Sequence, residues 1–199
     1  AILLSSASKL ARIVNDQELL PVHCPFFPVL EEHMDTFCKV TSIKSFIGKA
    51  NGFISGESFE HGLSWSLLSK TMLIAYDILG VAFLAERCGL ITQECAKLPL
   101  FKLPNNYDFN LKDAQAALGA GGWALHGAII AAKICTADSS RSDEWKNEQY
   151  LTLASDFVRS LAIGLVTQKD NYLLVGAQLT ASCIGFGLAY AAFNMQRNN

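Results

Sequence analysis

The sequence predicts an all-α integral membrane protein. The expected architecture is a helical bundle with three transmembrane helices, or four if residues 150–167 also cross, preceded by an amphipathic N-terminal helix. Three observations predict it. Residues 172–193, YLLVGAQLTASCIGFGLAYAAF, run without a charge. At about 1.5 Å of rise per residue, a helix of that length crosses a hydrocarbon core of about 30 Å. Residues 114–132 form a second stretch without formal charge, His126 taken as neutral. Composition agrees: hydrophobic residues make up 51%, charged residues 17%, and the mean hydropathy is +0.25. Soluble domains carry about 25% charged residues.

The 199 residues suffice for one small membrane bundle. They divide into an N-terminal region, 1–62, and a helical membrane domain, 63–199. The opening AILLSSASKLARI is apolar, Ser-rich and basic, which resembles the tail of a transit peptide. Residues 1–20 suit a short helix. Pro21, Pro25 and Pro28 then predict an irregular connector over 21–28.

Residues 42–55 are periodic at helical spacing. Ile43, Phe46, Ile47, Ala50, Phe53 and Ile54 share one face, and Lys44, Ser45, Lys49 and Asn51 take the other. Lys44, Phe46, Ile47 and Lys49 are therefore candidates for contact with a membrane surface. Packing on neighbouring helices explains the same pattern equally well. Residues 63–85 predict the first span. It contains Lys70 and Asp77, each costing about 2.5–3.5 kcal/mol at mid-membrane. Lys70 can snorkel towards headgroups, but Asp77 has to face other helices or water.

Residues 98–110 hold two prolines and an Asn pair, which predicts a loop. Asn110 suits a helix N-cap, with Asp113 at N3. In the second span Ala116, Ala120, Ala124, Ala128 and Ala132 form an i+4 ridge, with Gly119, Gly121, Gly122 and Gly127 beside it. Small residues let helix backbones approach closely in lipid, so the ridge predicts a helix–helix contact. Residues 137–149 predict a solvated loop. Residues 150–167 predict a helix with Asp156 and Arg159 as an i, i+3 pair. The cost of two ionised groups at mid-membrane favours a place outside the bilayer. The last span repeats the small-residue spacing in Ala177, Ala181, Gly185 and Ala189. Counting Lys and Arg in a three-span topology, ten fall on one side and five on the other. That puts the N-terminus on the cytoplasmic or matrix-like side.

Chemistry-bearing patterns are sparse. The formal charge of −2 gives no positive field for nucleic acid. Six cysteines, at 24, 38, 88, 95, 135 and 183, form no CxxC pair and read as reduced thiols. His23, Cys24, His33 and Cys38 cluster in the chain without a zinc-type spacing, so no metal site is expected. No GxSxG, HExxH, EF-hand or phosphate loop occurs, and GAGGW at 119–123 lacks a strand–turn–helix context. Ion or proton transport would need more helix than three or four spans provide. His126 is the one candidate cofactor ligand, for haem or chlorophyll. Hydrogen-bonded packing is the plainer role for it, and the sequence specifies no cofactor.

The layout is similar to that of the peroxin family that elongates and divides peroxisomes. The parts carrying the resemblance are the basic amphipathic helix 42–55, the AYDILG run at 75–80 followed by Cys88-Gly89-Leu90, and 157–165 leading into 172–193. The resemblance implies a membrane-shaping role and transfers no residue. The residues themselves predict a non-catalytic structural or accessory subunit of a larger assembly in an organelle membrane. Its expected partners are other membrane subunits and the lipid bilayer. Membrane shaping through 42–55, and pigment or haem binding, are the alternatives.

Overall fold

A computed structural model describes residues 2–16, 26–54, 64–92, 94–102, 104, 108–138, 141–164 and 172–198. It is a helical membrane bundle of α1 (Ile2–Asp16), α2 (Phe26–Ile54), α3 (Trp65–Arg87), α4 (Leu111–Thr136), α5 (Asp143–Gly164) and α6 (Tyr172–Asn198). Among the described residues, three helices are long and apolar enough to cross a membrane: Trp65–Arg87, Leu111–Thr136 and Leu173–Met195. They coincide with the three spans predicted from the sequence, two from charge-free stretches and the first despite Lys70 and Asp77.

Local chemistry sets the boundaries. Ser64 caps α3 by accepting from the Leu67 N–H. Gly89, at φ 72°, ends it, and the Leu90 N–H reaches back to the Ala85 carbonyl. Only a residue without Cβ takes that left-handed turn cheaply. Asn110 and Asp113 form a reciprocal capping box at the start of α4, each bond 3.1 Å, as their spacing predicts.

Three sequence expectations are corrected. Pro28 does not break the chain; it lies in the first turn of α2, where the backbone N–H has no helical partner to lose. The amphipathic stretch from residue 42 is thus the second half of a 29-residue helix. Residues 21–25 and 55 fall outside the described residues. The segment 98–110 is not a plain loop. Pro99–Lys102 (β1) and Asp108–Asn110 (β2) pair antiparallel, and Phe101 stacks on Phe109 at 4.6 Å between ring centroids. The apolar pair holds the hairpin shut. The region 137–149 is loop only at its beginning, because Ser142 accepts from the Trp145 N–H and starts α5 at Asp143. Asp143 and Glu144 then favour the positive end of that helix.

Each helix packs on its neighbours in the chain, and α1 also packs on α6, so the two ends of the chain meet. Arg12 on α1 pairs with Glu31 on α2. Arg87 at the end of α3 donates to the Glu32 carbonyl near the start of α2, at 3.1 Å, which makes α2 and α3 antiparallel. Helix α5 is not peripheral. Ser160 meets Ala120, Ile163 approaches Gly119, and Leu153 and Phe157 approach Gly127, so α5 runs antiparallel along the middle of α4. Val158 and Arg159 lie against Gly185 at the middle of α6. Helix α5 therefore packs directly on two of the apolar helices, α4 and α6. Two of its charged groups reach α4, Asp156 at His126 and Arg159 over the Trp123 ring.

The interior mixes apolar and polar side chains. Leu73, Phe83, Ile130, Ile163 and Val175 are buried, and so are Ser8, Asn15, Ser69, Asp77, Asp113, Ser155, Asp156 and Gln178. Phe26, Val29, Phe37, Val40, Ile43 and Ile47 on α2, and Tyr150, Phe157 and Leu161 on α5, are exposed. Large apolar groups outside, with buried polar groups paired inside, suit lipid as the solvent.

Candidate functional site: a polar seam inside the bundle

Glycine decides where the helices touch. A Cβ on Gly122 would lie 2.8 Å from Leu73 Cγ, and one on Gly119 would lie 2.6 Å from Tyr76 Cδ2. Close approach lets a serine on one helix reach a carbonyl on the next. Ser69 Oγ donates to the Gly122 carbonyl at 2.9 Å, and Ser155 Oγ to the Gly185 carbonyl at 3.2 Å. Ser160 Oγ donates to the Ala120 carbonyl at 2.8 Å. Each bond satisfies a hydroxyl that has no water to turn to.

The predicted alanine ridge on α4 is only partly a contact inside the chain. Ala116 is buried and Ala120 and Ala124 are partly buried, but Ala128 and Ala132 are exposed. Gly119, Gly122 and Gly127, beside the ridge, carry the packing on α3 and α5. The α6 ridge divides in the same way. Gly185 is buried against α5, Ala181 and Ala189 are partly buried, and Ala177 is exposed. Gly176 and Gly187 meet nothing within 4 Å.

Asp77 faces another helix, as its charge requires. Its carboxylate accepts from Ser45 Oγ at 2.9 Å and from Lys49 Nζ at 2.6 Å, both on α2. Lys49, a candidate for membrane-surface contact, is paired with Asp77 inside the bundle. Lys44 and Ile47 are exposed and Phe46 is partly buried, so the apolar edge of this helix turns outward while Ser45 and Lys49 turn in. Lys70, one heptad before Asp77, is exposed.

The second ionic group lies between α4 and α5. His126 Nδ1 and Asp156 Oδ2 are 2.6 Å apart, and Asp156 is 2% exposed. The expected Asp156–Arg159 pair does not form. The carboxylate turns to α4, and the Arg159 guanidinium lies over the Trp123 ring, 4.7 Å from its centroid. Trp123 also meets His126 edge-on at 6.2 Å. Sequence spacing misses this, because i, i+3 proximity says nothing of a competing partner on the next helix.

His126 Nδ1 is thus hydrogen-bonded to α5, with Asp156 fixing the ring. Among the described residues no group of three metal-ligating side chains occurs. His33 is exposed on α2, while His23 and Cys24 lie outside the described residues. Cys88, Cys95, Cys135 and Cys183 are free thiols. On the hairpin side, Lys97 pairs with Glu94 at 2.9 Å, and that hydrogen bond raises the lysine's pKa.

Fold and seam together define a helical membrane bundle with large apolar groups on its exterior and two buried carboxylates, Asp77 and Asp156, paired across helices inside it. Compared with known proteins, the chain matches no family model, no curated protein and no solved structure.

Proposed function

We propose that this protein is a non-catalytic accessory subunit of a larger membrane assembly. The reading takes α5 as a fourth membrane-crossing helix, in keeping with its place along the middle of α4 and α6. The observation that carries it is the unfilled half of each small-residue ridge. Ala128 and Ala132 on α4, and Ala177 with Gly187 on α6, are exposed, and no neighbouring helix among the described residues covers them. At that depth the occupant is either lipid or another transmembrane helix. A face of small residues beside large ones such as Phe186 and Tyr190 favours a helix backbone, which fills such a groove better than a mobile acyl chain. The chemistry inside the bundle agrees: His126, Asp77 and Asp156 are bound to neighbouring helices rather than grouped round a reaction centre.

Purification in a mild detergent, native gels and mass spectrometry of co-purifying chains test it. Ala128→Leu and Ala132→Leu should leave the bundle folded and shrink the assembled species. A wild-type protein that runs as a lone chain, or variants that assemble like wild type, would defeat the proposal. Gly185→Leu does not serve here, since that glycine is already packed on α5.

A further inference from the structure

We propose that the α4–α5 seam is a binding site for a small oxyanion, a carboxylate or phosphate, held by Arg159 and His126. The direction of the side chains comes first. The buried residues of α5 are Ser155, Asp156, Ala162 and Ile163. Arg159 is three or four positions from every one of them, so it stands at the centre of the inward face. His126 is one turn from buried Gly122 and one turn from buried Ile130, so it too faces inward. Yet its side chain is 38% exposed, which leaves space beside the imidazole.

Unused donors come second. Guanidinium has five N–H donors in a planar fork. Among the described residues the only partner of Arg159 is the Trp123 ring, which engages the face of the guanidinium and leaves its edges. No carboxylate among them pairs with it. Asp156, the near candidate, is committed to His126 Nδ1. That bond fixes the imidazole and leaves Nε2 without a hydrogen-bond partner among the described residues. Trp123 touches both groups, so two unsatisfied donors flank one indole.

Charge comes third. An unpaired cation at the mid-height of a membrane bundle is costly. With Asp156 bonded to His126, the Arg159 charge has no carboxylate partner among the described residues, which suits a ligand carrying a single negative charge. Arginine takes carboxylate or phosphate oxygens in a two-pronged geometry, and an imidazole N–H adds a third donor.

Trp123 is the reporter. In a Trp65→Phe/Trp145→Phe background it is the one tryptophan left. The variant, in phosphatidylcholine nanodiscs, is titrated with sodium acetate, sodium phosphate and sodium oleate, against sodium chloride at equal ionic strength. A saturable fluorescence change beyond that of chloride is expected, with the dissociation constant rising tenfold or more in Arg159→Gln and several-fold in His126→Gln. Response to the soluble anions marks a ligand from solution. Response to oleate alone marks a carboxylate delivered by lipid, with the site unchanged. No saturable change with any of the three overturns the proposal, as does undiminished binding in folded Arg159→Gln. If circular dichroism shows that Arg159→Gln is unfolded, His126→Gln decides alone, and wild-type binding there refutes the site.

Discussion

Removing the ammonium opposite Asp77 should unsettle the bundle more than removing both charges. Asp77 is 2% exposed, and its carboxylate has a hydroxyl from Ser45 and the Lys49 ammonium as partners. Lys49→Met keeps an unbranched apolar stem but strands a buried carboxylate on one neutral donor. Breaking one side of a buried pair costs about 3–5 kcal/mol. Lys49 keeps 29% of its side chain exposed, so water supplies part of the compensation and about 3 kcal/mol is expected. Asp77→Asn/Lys49→Met leaves a neutral amide with Ser45 still beside it and should cost about 1 kcal/mol. The pair then couples by at least about 2 kcal/mol in a double-mutant cycle. Unfolding in mixed dodecyl sulfate and maltoside micelles, followed by circular dichroism, measures each variant. A double variant whose loss equals the sum of the two single losses would refute the reasoning. So would a Lys49→Met variant within about 0.5 kcal/mol of wild type.

Gly122→Leu puts a side chain where a Cβ alone would already be 2.8 Å from Leu73, and should cost about 1–3 kcal/mol by overpacking in the same unfolding assay. Ala128→Leu, on the outward face, should leave that value unchanged. Asn110→Ala removes one half of the capping box and should cost about 1 kcal/mol, with Asn110→Gly losing only a few tenths.

The three apolar helices were legible because apolar length is a one-dimensional signal that the bilayer imposes on each span separately, strong enough to survive Lys70 and Asp77 in the first. The α4 cap was legible for the same reason: Asn110 and Asp113 answer each other within one turn. The partner of Asp77 was not. The need for one follows from its charge, but the choice of Lys49 depends on α2 lying antiparallel to α3, which no spacing within 42–55 encodes. The packing of helix α5 was not legible from its own composition. Asp156 and Arg159 are costly in isolation, and the compensation comes from His126 and Trp123, some thirty residues earlier. The alanine ridges were read as continuous contacts. The structure spends the glycines beside them inside the chain and leaves the outer alanines to whatever lies beyond it.

The meeting of α1 with α6 closes the described helices into a series that runs from α1 to α6 and back to α1. Removing α6 would uncover one side of α1 and, at the same time, the α5 side chains Ser155, Val158 and Arg159 that lie against Gly185, so a single helix holds two seams shut.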